Sequence, residues 1–349
     1  MRIIAVLLAF VLFLGCLGGE GRTVENKTVE NETKNKTPAV QIIVGPQQNQ
    51  TTPGQYEEEQ EQEEQQEENR TTELEYDSIP EAPMGIFFID SSDEHTHGNS
   101  ILIKKGDLDV VIDAGPEDKG GIVVDFLNSR EVDDIEILVS TNPDPRNYGG
   151  LNTVADNFEI EHFWWNGDYL DDFEYYEFVK RMEEEAKEVR FVEKGYSEEL
   201  SGINFEVLNP YKSSDRFGNV NNDAIVLRVT NGEFTALLTS GIQKGAMQKI
   251  VTDQEDKIQN QIFQAPYYGT GEGTRDIGLV LLAVDPEYVI ITGSEDDSAE
   301  NGGSREPFFR LLDQYGIPSS ATYDNTSIRI TNDGSDMFAV QYVVEEEEE

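Results

Sequence analysis

The sequence Thr141-Asn142-Pro143-Asp144-Pro145-Arg146-Asn147-Tyr148-Gly149-Gly150-Leu151 lies between an apolar run and a helical pattern. The run, residues 135–140, is continuously apolar or β-branched and predicts a buried strand. From Gly149 onward the pattern predicts a short helix. The quoted stretch is therefore a polar loop that joins a buried strand to a helix.

Similar runs predict further elements on both sides of this loop. Residues 86–89, 100–103 and 108–113 predict early strands, which Ala114-Gly115-Pro116 closes, and residues 122–127 predict a helix. Downstream, residues 224–229 and 234–238 flank Asn231-Gly232, a strong hairpin signal. The other predicted strands are 162–165, 261–264, 288–291, 328–330 and 337–343, and the other predicted helices are 170–187, 243–252, 277–283 and 307–314. Two groups of strands interleaved with helices predict an α/β (α+β) protein whose sheets pack face to face with helices outside.

Several local motifs occur in a fixed order along the chain. Phe88-Ile89-Asp90 precedes His97-Gly98-Asn99-Ser100-Ile101-Leu102-Ile103, and Val111-Ile112-Asp113-Ala114-Gly115-Pro116 precedes the polar loop. Asn221-Asn222-Asp223-Ala224-Ile225-Val226-Leu227 and Leu237-Leu238-Thr239 follow it. This order resembles the metallo-β-lactamase superfamily, and within it the extracellular metallohydrolase domain of ComEC-type competence proteins, over nearly all of residues 85–334. The resemblance implies a four-layer αββα sandwich of two mixed sheets, formed by residues 84–344.

The positions that correspond to the family's metal ligands are changed in this sequence. The family's Thr-His-x-His-x-Asp-His-x-Gly-Gly-Leu corresponds to residues 141–151, and the bridging carboxylate expected after Leu237-Leu238-Thr239 is missing. Val-Pro-His-His-Gly-Ser corresponds to residues 265–270, and a downstream His-Pro corresponds to residues 306–307. The residues at this degenerate former site are Asn142, Asp144, Arg146, Asn147, Ser240, Gly241, Tyr267, Tyr268 and Glu306.

These replacements are unsuited to zinc chemistry. Zinc needs imidazole, thiolate or carboxylate donors, and it lowers the pKa of bound water so that hydroxide forms near neutral pH. Asn142 and Asn147 offer neutral amides, and Arg146 puts a permanent cation where the metal would lie. Asp144 is the remaining carboxylate of the motif, and we expect it to pair with Arg146. The resemblance therefore implies that the ancestral zinc is lost, and we assign no catalytic residue, metal ligand or cofactor.

Other side chains could form a different site. The spacing of His95 and His97 could bind a metal, but their polar turn favours the interpretation of exposed histidines. Ser240 lacks a histidine assigned as its base, and the motif Gly-x-Ser-x-Gly is absent from the sequence. Tyr267 and Tyr268 could contact a ligand, although filling the old cavity is the favoured role.

The charge of the chain argues against a nucleic-acid partner. Its 349 residues contain 70 acids and 26 bases, so the formal net charge is −44 at pH 7. Phosphate binding depends largely on Lys and Arg, and this imbalance repels polyanions. An acidic surface of this kind resembles that of proteins from salt-loving (halophilic) organisms.

The amino terminus resembles an export signal. An apolar run, residues 3–14, is too short to span a bilayer and has the length of a signal-peptide hydrophobic region. Phe13-Leu14-Gly15-Cys16 looks like the lipobox of prokaryotic lipoproteins, in which the new terminal cysteine carries lipid, and Cys16 is the only cysteine of the chain. An ordinary secretory signal or an uncleaved apolar anchor are the alternatives. Residues 1–16 are thus predicted as a signal peptide with a lipobox, which places the protein outside the cytoplasm on the outer face of the cell membrane.

Residues 17–83 predict a disordered stalk, because Glu, Gln, Asn and Thr dominate and few large apolar residues occur. Residues 345–349 predict a solvated acidic tail. The Asn-x-Ser/Thr sequons of the chain could carry glycans, or they could arise by chance in a segment rich in Asn and Thr. They begin at Asn26, Asn31, Asn35, Asn49, Asn69 and, far from the stalk, Asn325.

These observations favour a non-catalytic binding or scaffold module of the cell envelope, with an unidentified envelope protein or ligand as its partner. One alternative is a divergent metal-dependent hydrolase of extracellular DNA or another phosphodiester, with a hard cation held by Asp90, Asp113 and Asp144. Another is a purely structural spacer. An open polar pocket at the former site would favour ligand binding, whereas a filled one would favour a scaffold.

Changing Cys16 to serine is expected to release the protein from the membrane, because a serine hydroxyl cannot carry the thioether-linked lipid. Phase partitioning with a nonionic detergent measures this: the unaltered chain should enter the detergent phase and the Cys16→Ser variant the aqueous phase. Gly18→Ser serves as the matched control and should stay in the detergent phase. A Cys16→Ser variant that remains with the membrane would instead indicate an uncleaved apolar anchor.

Overall fold

The structure is a computed structural model that describes residues 25–27, 41–44, 82–169, 172–296, 298, 302–323 and 326–344. The signal segment with Cys16 and the acidic tail lie outside these residues, as do the sequons at Asn31, Asn35, Asn49, Asn69 and Asn325. Asn26 lies in the first strand. No helix within the described residues is long and apolar enough to cross a membrane.

The first sheet contains ten strands among the described residues, in the spatial order β1-β2-β17-β16-β3-β4-β5-β6-β7-β8. Its strands β5 to β8 are parallel, and β3, β4, β16 and β17 pair antiparallel. The bounds are β1 Glu25–Lys27, β2 Gln41–Val44, β3 Met84–Phe88, β4 Ser100–Lys105, β5 Leu108–Ala114, β6 Ile135–Ser140, β7 Ile160–Trp165, β8 Glu188–Phe191, β16 Thr326–Asn332 and β17 Phe338–Val344.

The second sheet has the order β15-β14-β13-β12-β11-β10-β9. Strands β12 to β15 are parallel, whereas β9 to β12 form an antiparallel meander. The bounds are β9 Ser197–Leu200, β10 Ile203–Asn209, β11 Val226–Asn231, β12 Phe234–Leu238, β13 Ile262–Gln264, β14 Tyr288–Thr292 and β15 Ser319–Thr322.

Helices follow several of the parallel strands. They are α1 Gly120–Ser129, α2 Pro145–Tyr148, α3 Leu151–Asn157, α4 Phe173–Glu185, α5 Lys244–Asp253, α6 Gly271–Thr274, α7 Gly278–Val284 and α8 Glu306–Tyr315. Asp144 caps α2 through a hydrogen bond from the Arg146 backbone N–H, and Asp172 caps α4 in the same way from Tyr175.

Three apolar clusters define four layers. One cluster, which includes Phe88, Val110, Phe205 and Phe234, lies between the two sheets. A second packs the outer face of the first sheet against α1, α3 and α4. The third packs the outer face of the second sheet against α5, α7 and α8. The predicted fold class, an αββα sandwich of two mixed sheets, is confirmed.

Several strands are absent from the sequence-based prediction. The prediction does not include strands β8, β9, β10 and β15. Strands β8 and β9 each carry two charged residues among four and are only partly buried, so their composition hides the alternation of apolar residues. Strands β1 and β2 lie within the range predicted as a disordered stalk, where β2 pairs with β17. The β-branched Ile42, Ile43 and Val44 favour this pairing locally.

Replacing Phe234 with alanine is expected to lower the free energy of unfolding by about 3–5 kcal/mol, because the cavity would open in the layer between the sheets. Phe234 is fully buried and meets Phe338 of the other sheet edge to face, with ring centroids 5.9 Å apart. Urea unfolding measures the change. Phe173, which is 72% exposed, provides the control, and its alanine variant should unfold like the unaltered protein. Equal effects at both positions would contradict the packing.

Candidate functional site

The former site lies where strands of both sheets end. Thr141 and Asn142 follow β6, and Ser240 and Gly241 follow β12. Tyr267 and Tyr268 lie in a short turn, Pro266–Gly269, just after β13. Carboxyl ends of parallel strands meet at one edge of a sheet, so segments far apart in sequence converge here.

A fully buried carboxylate, Asp113, organises this edge. Its Oδ1 accepts from the Thr141 backbone N–H at 2.8 Å, and its Oδ2 accepts from Thr141 Oγ1 at 2.6 Å. Asn99 Nδ2 and Ser240 Oγ donate to the same Oδ2 at 2.8 and 3.2 Å. Burial raises the pKa of Asp113 to about 6, although these hydrogen bonds oppose the rise. Four donors from three segments therefore compensate one buried charge.

Amide groups fill the centre of the site. Asn147 Nδ2 donates to Asn142 Oδ1 at 2.7 Å and approaches Ser240 Oγ at 3.3 Å. Tyr268 donates its hydroxyl to Asn147 Oδ1 at 2.6 Å. Asn142 Nδ2 in turn donates to the Val220 carbonyl at 3.1 Å. Both asparagines are fully buried, and each amide has partners for its oxygen and its nitrogen.

Asp144 and Arg146 form the predicted ion pair beside these amides. Arg146 Nε and Nη2 donate to the two oxygens of Asp144 at 3.0 and 2.6 Å, and Nη2 also donates to the Tyr267 hydroxyl at 2.9 Å. The guanidinium lies 5.2 and 5.3 Å from the ring centroids of Tyr267 and Tyr268. Burial alone would lower the pKa of Arg146, but Tyr268 and Asp144 raise it, so this cation is permanent.

Close packing closes the site. A Cβ atom on Gly241 would lie 3.1 Å from Asn147 Nδ2 and 3.5 Å from Asn142 Nδ2, so the amides occupy the space that a carboxylate at this position would need. A Cβ atom on Gly302 would lie 2.8 Å from the Tyr267 ring. The amides of Asn142 and Asn147 and the Tyr267 ring are therefore packed closely against the neighbouring backbone.

The backbone of the site is strained. Asp113, Ser240, Tyr267 and Tyr268 have positive φ angles between 46° and 58°, which disfavour residues with a Cβ atom. Such conformations cost on the order of 1–3 kcal/mol each and persist where surrounding contacts enforce them. The hydrogen bonds of the cluster supply that enforcement.

The structure corrects the interpretation of His97 and shows where Glu306 lies. Glu306, which we predicted within the site, is exposed at the start of α8, where its Oε1 accepts from Arg310 Nε at 2.6 Å. His97, interpreted as exposed, is fully buried, whereas His95 is exposed. The His97 ring stacks on Tyr268 with centroids 4.7 Å apart, and its Nδ1 accepts from the Ser294 backbone N–H at 3.0 Å. That bond assigns the proton of a neutral His97 to Nε2.

Two further residues of the site were missed. Asn99 donates to Asp113, and Gln264 Nε2 donates to Asn99 Oδ1 at 2.7 Å. Gln264 Oε1 accepts from the backbone N–H groups of Thr239 and Ser240, both at 3.0 Å. Asn99 lies in a motif that carries the family resemblance and could have been found from it. Gln264 ends a short apolar strand, and nothing in its sequence context indicates a polar role.

A cavity of about 810 Å³ lies elsewhere, between α6, α7 and α8. Leu279, Leu282, Leu311 and Tyr315 contribute to its lining. None of the nine residues at the former site lines it. Of the two alternatives stated for the former site, open or filled, the packing shows the filled one.

The residues at the former site do not fit zinc. The Asn147 and Asn142 amides direct N–H groups, which cannot ligate a metal, toward neighbouring oxygens. Arg146 engages both oxygens of Asp144. Across the described residues there is no group of three or more His, Cys, Asp or Glu side chains that could hold a metal ion.

Comparison with known proteins bears on the fold. The sequence matches no protein-family model and no curated protein. Among solved structures, the metallo-β-lactamase fold protein YhfI from Bacillus subtilis has a TM-score of 0.46 at 10% identity, covering 68% of this chain and 96% of that one. The αββα arrangement of two mixed sheets rests on the chain's own strand order and apolar clusters. A diphosphatase of the PhnP family has a TM-score of 0.39 at 13% identity, covering 60% of this chain and 86% of that one.

CmlA, a diiron β-hydroxylase from Streptomyces venezuelae, is also similar, with a TM-score of 0.45 at 10% identity. The match covers 72% of this chain and 54% of CmlA, so the chain spans about half the length of that protein. These likenesses carry no conclusion about the function of this chain.

The free energy of unfolding is expected to fall as the pH rises from about 4 to about 7, because the pKa of Asp113 is raised in the folded state. An acid with a raised pKa stabilises the folded state below its unfolded pKa, and that contribution is lost as the pH rises through about 6. Urea unfolding at several pH values measures the slope.

Asp113→Asn should lower stability and flatten this pH dependence, since the titrating group is removed. Asp118→Asn is the control, because the Asp118 side chain is 71% exposed. An unchanged pH dependence in Asp113→Asn would refute the assigned role of Asp113.

Proposed function

We propose that this protein is a non-catalytic module of the cell envelope, built on a metallo-β-lactamase fold whose metal centre has become a structural polar core. One observation carries the proposal: the side chains at the former ligand positions bond to one another instead of facing a cleft. Asn142, Asn147 and Tyr268 form a buried chain of hydrogen bonds, and Asp144 is held by Arg146.

The charges of the site support this proposal. A divalent cation would have to displace Arg146 from Asp144, and that would leave a partly buried guanidinium without its carboxylate partner. Breaking such a pair costs about 3–5 kcal/mol. The amide nitrogens around it would gain nothing from the metal, so the closed cluster is favoured over metal binding.

A divergent hydrolase with a hard cation at Asp90, Asp113 and Asp144 has weaker support. Asp113 is saturated by Thr141, Asn99 and Ser240, and Asp144 by Arg146. Asp90 Oδ1 accepts from Ser92 Oγ at 2.6 Å. Each of these carboxylates has its own partners, and nothing favours their joint use.

The location and the partner are part of the same proposal. The apolar run that ends at a lone Cys16 supports export and a lipid anchor on the outer face of the membrane, and the motif order supports descent from a ComEC-like metallohydrolase domain. The net charge of −44 supports a protein partner or ligand of the envelope over nucleic acid, and fits an acidic, salt-tolerant surface. Glycans on the stalk sequons would fit such an exposed tether.

The purified protein is expected to hold far less than one equivalent of zinc and to hydrolyse no phosphodiester. Its melting temperature should not change with added zinc or EDTA, because a bound metal would stabilise the folded state by mass action. Elemental analysis, thermal unfolding and turnover of bis(p-nitrophenyl) phosphate at low and high salt measure these outcomes.

Asp144→Ala separates contaminating activity from activity of this chain. Residual turnover that survives this substitution would come from another enzyme. Stoichiometric zinc, or turnover lost both on chelation and in Asp144→Ala, would overturn the proposal in favour of the hydrolase.

A further inference from the structure

The cavity between α6, α7 and α8 has the size of a small-molecule site. Its volume of about 810 Å³ falls within the range of pockets that hold such ligands, about 300–1,000 Å³. Leu279, Leu282, Pro307 and Leu311 give its walls apolar side chains. The cavity shares no residue with the former site, so its occupant is a question separate from the loss of the metal.

Helix α7 is apolar on both of its faces. Its residues, Gly278–Val284, read GLVLLAV and include no polar side chain. One face, which includes Leu281, is buried in the third apolar cluster, whereas Leu279 and Leu282 are 78% and 59% exposed on the other. A helix that is apolar all round is normally covered on every side. The described part of the chain does not cover the cavity-lining face of α7, which indicates an external occupant.

Helix α8 forms the facing wall. Leu311 and Tyr315 are four positions apart on this helix, so they share one face, and both line the cavity. A Cβ atom on Gly278 would lie 3.6 Å from Tyr315 Oη and 3.9 Å from Leu311 Cδ2. The Tyr315 hydroxyl therefore lies beside the first residue of α7, and the absence of a side chain at Gly278 leaves space next to it.

Two hydrogen-bond donors are available near the start of α7. The Tyr315 hydroxyl has no hydrogen-bond partner among the residues that the structure describes. Arg275, three positions before Gly278, lines the cavity and pairs with no described carboxylate. Asp276, the next residue, is bound instead by Lys244 Nζ at 2.8 Å. A guanidinium and a hydroxyl donor together suit a carboxylate ligand.

We propose that this cavity binds a small amphipathic carboxylate. Its apolar body covers Leu279 and Leu282 and lies against Leu311. Its carboxylate accepts hydrogen bonds from Arg275 and from the Tyr315 hydroxyl.

The charge and the shape of the region favour this ligand class. Arg275 and Asp276 are the charged residues among the described lining, and Lys244 neutralises Asp276, so the cavity keeps one positive charge in a chain of net charge −44. This charge favours an anion over a cation. A stable protein interface covers about 800 Å² of each partner, whereas the exposed leucines of α7 belong to the walls of one concavity.

Calorimetric titration with decanoate tests the proposal. The full chain carrying Cys16→Ser is used without detergent, because a detergent would compete for the cavity. Decanoate should bind saturably at one equivalent. Octanoate should bind about fifteenfold more weakly, since each buried methylene changes affinity about fourfold. 1-Decanol should bind about tenfold more weakly than decanoate, because it lacks the charge-assisted hydrogen bond to Arg275.

Substitutions at exposed positions assign the two ends of the ligand. Arg275→Gln should weaken decanoate about tenfold and leave the affinity for 1-decanol unchanged. Leu282→Ser should weaken both ligands alike. Arg310→Gln is the matched control and should bind decanoate like the unaltered residue, because Arg310 is an exposed arginine of α8 that bonds Glu306 and does not line the cavity.

Absence of saturable decanoate binding, or binding that both Arg275→Gln and Leu282→Ser leave unchanged, would overturn the proposal. A dimer in analytical ultracentrifugation that Leu282→Ser dissociates would assign the face to a second copy of the chain, and would overturn it as well. Zinc content and phosphodiester turnover do not enter these measurements. Failure of this inference is therefore distinguishable from failure of the proposed function.

Discussion

Asp113 carries a buried carboxylate that needs hydrogen-bond donors, and this need constrains the chain segments at the edge where both sheets end. A carboxylate removed from water is costly unless donors surround it, and Asp113 obtains its donors from Thr141, Asn99 and Ser240. These residues follow β6, precede β4 and follow β12. Satisfying one carboxylate therefore fixes three chain segments relative to one another. The remaining features of the site are built on that arrangement.

Around this centre a polar network holds the backbone in left-handed conformations. Ser240, Tyr267 and Tyr268 keep left-handed conformations, which only a well-determined environment maintains. That environment is now a chain of amides and hydroxyls in which each donor meets an acceptor. A buried polar network of this kind is rigid when fully satisfied. The strained backbone is thus held in place by a network of hydrogen bonds.

The interior carboxylates show three different solutions to the same physical problem. Asp113 is compensated by neutral donors, Asp144 by the bidentate Arg146, and Asp109 by Lys104. The neutral donors connect several chain segments to Asp113. The guanidinium of Arg146 instead binds both oxygens of Asp144, because it is planar and permanently charged. Lys104 bonds both oxygens of Asp109 and so joins β4 to β5 across the hairpin.

The sequence alone determined the order of the principal strands and helices and the layered fold class, because periodicity is a local property. It also anticipated the pairing of Asp144 with Arg146, two positions apart. Tertiary structure decided that Asn147 meets Tyr268, that Gln264 supports Asn99, and that His97 is buried against Tyr268 while Glu306 is exposed. Such contacts join residues more than a hundred positions apart, or depend on which face of a turn is covered, and no local pattern encodes them. Acid-rich edge strands such as β9 were likewise visible only through their partners, since hydrogen bonds across the sheet, not apolar alternation, define them.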